Sequence, residues 1–142
     1  MLIEIAAQAD DELYQAFQRL VPQLTQNNPP PSRSHLFDLV DDPASSLLLA
    51  RRESGEIIAA LTLAVYRVPT GTRAIIEDVI VDESARGQGV GAALLRRAIE
   101  LAKEKGAGNI ALTSNPMRAA ANRLYVRLGF QKRETNSYQM KL

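Results

Sequence analysis

The sequence predicts an α/β fold: a mixed, mostly antiparallel central sheet with helices on both faces, in the order β-α-α-β-β-β-α-β-α-β. Two observations carry this. Three β-rich runs follow one another in the middle of the chain across short turns, and runs with helical apolar spacing flank them on both sides. No repeat or long linker interrupts the 142 residues, so 1–142 reads as a single domain of ordinary size for one core.

Taken in order, Leu2 to Ala6 alternates apolar and polar residues and suits a short strand. Asp10 or Asp11 then caps a helix with Leu13, Phe17, Leu20 and Val21 on one face. Three consecutive prolines in TQNNPPPSR fix φ and remove donors, which makes that stretch a semi-rigid loop. His35 to Val40 follows as a short helix capped by Ser34. A strand over Ser46 to Arg51, a turn at ESGE and the long run IIAALTLAVYRV form a hairpin, and TRAIIEDVIV beyond PTG adds a third antiparallel strand.

The second half alternates. Val90, Leu94, Ala98 and Leu101 mark a helix that stops at Gly106 after lysines in its last turn. NIALTS is a short strand. Asn115 as cap and Pro116 at the first helical position open another helix, with Met117, Ala121, Leu124 and Leu128 on its apolar face and Gly129 at its end. FQKRETNSYQMKL reads as a final strand or hairpin turning near Thr135 and Asn136.

Composition removes whole classes of function. With 17 Lys and Arg against 16 Asp and Glu, the net charge of +1 lacks the surplus of cations that a general nucleic-acid binder uses to displace counterions. There is no cysteine and one histidine, His35, which argues against a zinc site and excludes thiolate nucleophiles. The N-terminus has no basic leader, and no apolar run approaches the length of a membrane span; a soluble, cytoplasmic protein with no membrane partner is expected.

The stretch most in need of a chemical reason is ARGQGVGAALLRRA, residues 85–98. Its glycines either turn a corner or bare the backbone, and the first N–H groups of the helix beyond them are a ready site for phosphate. A dinucleotide-binding G-x-G-x-x-[GA] fingerprint fails on context. DESAR intervenes after the strand, that strand is the last of an antiparallel set, and the following strand ends without an acid. A P-loop fails because no Gly-Lys-Ser/Thr follows. What remains is R-x-x-G-x-G, as Arg86, Gly89 and Gly91, on a loop between a strand and a long helix; the amides of residues 87–91 converge there and Arg86 adds charge.

At this point the chain resembles the GNAT family of N-acetyltransferases, whose signature [QR]-x-x-G-x-[GA] follows a strand. IEDVIVDESARGQGVGAALLRRAI looks like that family's strand, loop and helix, and ANRLYVRLGF like its second characteristic helix. The resemblance implies acetyl-CoA as co-substrate, without metal, lying in a V-shaped opening between the strands ending at Val81 and Thr113. The backbone of Val79, Ile80 and Val81 would bond the pantetheine arm, with an amide near Val79 polarising the thioester carbonyl. Arg86, Gly87, Gln88 and Gly89, with Val90, Gly91 and Ala92 at the start of the helix, would hold the pyrophosphate. Asn122 would contact the cofactor, and Tyr125 would protonate the departing thiolate.

The implied reaction is direct attack by a primary amine of a small molecule or peptide, and an amine that arrives as ammonium must first lose a proton. Glu77 is the favoured base; a bulge in its strand would shift the register toward Asp78, and either acid can instead pair with Arg67 or Arg73. His35 reads as a solvated or capping histidine near the loop that in this family closes over the acceptor. The resemblance also leaves room for a homodimer through the C-terminal strand. A module that binds or senses acyl-CoA without turnover is the alternative function.

Overall fold

The computed structural model describes residues 1–142. Five strands form one sheet in chain order, β1 (Leu2–Ile5), β2 (Ser45–Arg51), β3 (Ile57–Val68), β4 (Gly71–Val81) and β5 (Asn109–Ala111). The first four are antiparallel to their neighbours, whereas β5 runs parallel to β4. Short turns produce the antiparallel part: Gly55 and Gly71, both at positive φ, close the two hairpins. The parallel pair needs a crossover, which is helix α3 (Val90–Glu104).

The four helices divide between the two faces. Leu13, Ala16, Phe17 and Leu20 of α1 (Asp11–Leu24) and Leu36 of α2 (Arg33–Asp41) pack on Leu47, Leu49, Ala60 and Ile80. On the other face, Val90, Leu94, Leu95, Ala98 and Leu101 of α3 and Tyr125 of α4 (Ala119–Arg127) pack on Leu48, Ala50, Leu61, Leu63, Ala74 and Ile76. Adjacent strand residues therefore serve opposite cores, as Leu47, Leu48, Leu49 and Ala50 do in turn, and β2 and β3 consequently read as nearly continuous apolar runs. Each fully buried leucine among them contributes about 1.5–3 kcal/mol.

Caps fix the helix starts. Asp10 caps α1 by accepting from the Leu13 N–H at 2.9 Å, and Ser32 caps α2 by accepting from the His35 N–H at 3.1 Å. Ser34, the expected cap of α2, lies inside the helix. Asn115 does not cap α4 either: its side chain accepts from the Met117 N–H and its carbonyl from the Arg118 N–H, closing a turn before the helix starts at Ala119. The one difference in architecture is at the C-terminus, where the expected final strand is absent and residues 129–142 carry no regular secondary structure. A strand there needs a partner edge, and β5 offers three residues; Tyr138, Met140 and Leu142 are all exposed.

Candidate active site

The strand before the glycine loop carries a bulge. Thr62 pairs with Glu77 and Ala60 with Ile80, so Leu61 faces both Asp78 and Val79, and Asp78 sits at φ 50°. Aspartate is among the few side chains that tolerate this left-handed conformation.

The bulge exchanges the two edges of β4. Before it, the Thr72 carbonyl accepts from the Gly108 N–H at 2.9 Å, so even-numbered residues direct their backbone groups toward β5. After it, the Asp82 N–H donates to the Ile58 carbonyl at 2.8 Å, so even-numbered residues bond β3 and Val79 and Val81 turn theirs toward β5. That pairing has already ended, at Ile75 opposite Ala111. The Val79 and Val81 backbone therefore faces a gap in which the two parallel strands have parted. Ile80, expected beside them, commits its own N–H and C=O to β3 and its side chain to the α1/α2 core.

The glycines beyond the gap serve two different needs. Gly87 (φ 74°) and Gly89 (φ 80°) hold conformations that a side chain would strain, although a Cβ at either would touch nothing within 4 Å. Gly91 is helical, and a Cβ there would stand in ordinary van der Waals contact, 3.5 Å from Val81 Cγ2 and 3.6 Å from Leu124 Cδ2, at the point where α3 meets β4 and α4. Gly89 begins α3 with no side-chain cap, and the first intrahelical bond runs from the Ala93 N–H to the Gly89 carbonyl. The N–H groups of Val90, Gly91 and Ala92 thus have no partner within the helix, at its positive end and beside open space. This cradle fits a phosphate-bearing co-substrate. Arg86 borders it, its Nε donating to the Val81 carbonyl at 3.1 Å, while Gln88 donates to the Ser84 carbonyl.

A group that sequence reasoning missed holds the loop in place. Asp82 is buried, with Oδ1 accepting from the N–H and hydroxyl of Ser84 and Oδ2 from Arg19 Nε at 3.1 Å. Arg19 also donates to the Ile57 carbonyl, and Gln23 Oε1 accepts from the Glu83 N–H. The hydrogen bond from the Ser84 backbone, with further bonds from Ser84, Arg19 and Gln23, brings the Asp82 pKa down to about 2 against the opposing effect of burial. Helix α1 thereby grips the turn Glu83–Ala85 that leads into the glycines. D-x-S is a local turn signal legible in the sequence; Arg19, 63 residues away, is not.

Arg118, Asn122 and Tyr125 run along one face of the α4 segment from exposed through half-buried to buried. Asn122 Nδ2 donates to the Asn115 carbonyl at 3.1 Å, tying α4 to the end of the β5 loop. Tyr125 meets Phe130 edge-on at 6.1 Å, and burial raises its hydroxyl pKa while the Arg118 charge opposes the rise. Glu77 lies by register on the face of Thr62 and Leu47, the α1/α2 side, and its pKa is raised by burial and by the neighbouring Asp78 charge. His35 is exposed, at the start of α2.

Residues 11–130 match the model of the acetyltransferase (GNAT) family. The chain belongs to the GNAT family. It is 40% identical over 99 residues to a probable glucosamine 6-phosphate N-acetyltransferase 2 of rice, a match covering 68% of this chain and 54% of that one, so the chain spans about half the length of that relative. Among solved structures, a putative acetyltransferase from Agrobacterium tumefaciens superposes with a TM-score of 0.87 at 23% identity over 100% of both chains, which shows the fold. A Bacillus halodurans chain described as a transcriptional regulator superposes with a TM-score of 0.80 at 30% identity over 99% of this chain and 100% of that one. GNAT acetyltransferases are acyl-CoA-dependent N-acetyltransferases.

Proposed function

We propose that the chain transfers an acetyl group from acetyl-CoA to a primary amine by direct attack, without a covalent enzyme intermediate. The observation that carries this is the bulge at Asp78, which turns the Val79 and Val81 backbone into the gap beside the uncapped start of α3. The amides of Val90, Gly91 and Ala92, with Arg86, hold the pyrophosphate, and Gly91 lies against Val81 where α3 meets the end of β4. The Val79 N–H polarises the thioester carbonyl, an interaction that strengthens as charge develops on oxygen.

Acetyl-CoA supplies the activated acyl group. Glu77, its pKa raised toward the working range of a base, takes the proton from the ammonium directly or through water, with Asp78 its alternative at the bulge. The amine nitrogen forms the new bond to the acyl carbon, the C–S bond breaks as Tyr125 gives its hydroxyl proton to the leaving sulfur, and the second proton that the nitrogen sheds on becoming an amide returns through water to the Tyr125 phenolate. Asn122 orients the arm from the α4 side.

A second reading, a module that holds acyl-CoA without turnover, draws on the likeness to the B. halodurans regulator. Calorimetric titration with acetyl-CoA beside a thiol-release assay on a panel of amines separates the two. Binding with turnover is expected; binding without turnover on any amine makes the chain a sensor.

A further inference from the structure

The glycine loop has little of its own to hold it. Gly87 and Gly89 stand at positive φ with nothing within 4 Å of where a Cβ would be, and Gly89 opens α3 with no side-chain cap. Glycine loses more conformational freedom on ordering than any other residue. A loop that fluctuates offers scattered amides, and a phosphate that binds it must first gather them.

What order the loop has comes from the segment before it. Arg86 donates from its backbone N–H to the Glu83 carbonyl and from Nε to the Val81 carbonyl, and Gln88 donates to the Ser84 carbonyl, so both reach back to residues 81–84. That segment is held in turn by three elements distant in sequence. Strand β3 takes the Asp82 N–H on the Ile58 carbonyl, the turn after β2 sends Arg52 to the Ser84 hydroxyl, and α1 supplies Gln23 to the Glu83 N–H and Arg19 to the Asp82 carboxylate.

Arg19 is the centre of this clamp. Its Nε donates to Asp82 Oδ2 at 3.1 Å, its Nη2 donates to the Ile57 carbonyl and lies 3.9 Å from Glu56, and Glu56 stands 3.4 Å from Arg52 Nε. The planar fork of a guanidinium suits the place, because one branch takes the carboxylate while the other takes the carbonyl, fixing the turn against α1 and β3 at once. The Asp82 side chain is 9% exposed, so this bond is sheltered from water and salt. The Arg33–Asp11 pair on the same helix, 59% and 70% exposed, is a solvated surface pair by comparison and holds little.

We propose that Arg19 is a positioning residue for the co-substrate: acting through Asp82, it holds the turn before the glycines so that Arg86 and the amides of Val90, Gly91 and Ala92 meet the pyrophosphate already converged. The inference rests on the acetyltransfer reading of the cradle and extends it to a residue of the opposite helical layer. Arg19 acts at one remove from the ligand, so its effect falls on affinity for acetyl-CoA and not on bond making.

The test is calorimetric titration of acetyl-CoA into the wild-type chain, Arg19→Gln and Arg19→Lys, each well below its own Tm. Arg19→Gln raises Kd about ten-fold; Arg19→Lys, which keeps a charge for Asp82 and loses the second branch, recovers part of that loss, to about three-fold. With an amine that the wild type acetylates, Arg19→Gln raises KM for acetyl-CoA in step with Kd and leaves kcat and the KM for the amine within about two-fold, a split that general loss of stability does not produce. Where Arg19→Gln does not fold, Gln23→Ala, which removes a single bond to the same turn, carries the test with a rise in Kd of about three-fold. An unchanged Kd in the variant that folds, or a fall in kcat with Kd intact, overturns the positioning role while leaving acetyl transfer standing. Failure of the wild type to bind acetyl-CoA overturns the acetyltransfer reading itself.

Discussion

The sheet has a firmly tied side and a lightly tied one, and the candidate site lies at their seam. Strands β1 to β4 pair along nearly their whole lengths and bury Leu48, Leu61 and Leu63 completely. Beyond α3, β5 contributes three paired residues, and α4 buries Tyr125 alone. The difference shows how a single sheet can be both scaffold and opening. Antiparallel ladders fix Glu77, Val79 and Val81 from one side, while the early end of the β4–β5 pairing leaves their other side free for a ligand strand.

The largest expected effect breaks the tied side. Leu61→Ala, at a wholly buried position in the centre of β3, costs about 2–5 kcal/mol through lost burial and the cavity left behind. Val126→Ala on the exposed face of α4 changes stability by less than about 0.5 kcal/mol. Urea denaturation of the two variants measures the contrast directly, and equal effects would abolish the distinction between the halves.

Next comes chemistry at the seam. Tyr125→Phe keeps the ring against Phe130 and removes only the hydroxyl, so kcat is expected to fall about 100-fold with acetyl-CoA affinity retained. An unchanged kcat removes Tyr125 as the acid. Gly91→Val is the matching test from the other helix: branches added to a Cβ already 3.5 Å from Val81 push α3 off β4, and calorimetry should register weakened acetyl-CoA binding.

Asp82 sharpens the comparison because it ties the tied side to the loop. Its folded pKa, about 2, lies below the ordinary carboxylate value of 3.8, so its contribution is complete above that ordinary value and is lost as pH falls through about 2. The difference corresponds to about 2 kcal/mol at neutral pH. Asp82→Asn should lower stability by that order at pH 7 and flatten the pH dependence of unfolding between about pH 5 and 2, read by thermal melts across the range.

What was legible in the sequence follows from range. The hairpin turns, the glycine loop and the stop at Gly106 rest on local backbone needs, and the sequence displays them. The bulge is a one-residue slip inside IEDVIV, where apolar and acidic residues satisfy either register; only the ladder with β3 decides that Val79 and Val81 face the gap. Asp82 with Arg19 and Asn115 with Asn122 depend on contacts that the fold alone brings together. The C-terminal stretch failed in the opposite way, since Tyr138, Met140 and Leu142 alternate as a strand should, yet alternation states a preference and supplies no partner.

That stretch gives the smallest expected effect. Residues 131–142 are exposed throughout and outside every ladder, so their removal exposes almost no apolar surface that is not already in water. Truncation after Gln131 retains Phe130, whose ring supports Tyr125 and whose N–H donates to the Tyr125 carbonyl at 3.0 Å. It should shift stability by less than about 0.5 kcal/mol and leave kcat unchanged. A loss of several kcal/mol would mean that the tail pairs with a strand edge after all, and β5, with its outer edge open and three residues long, is the edge that would take it.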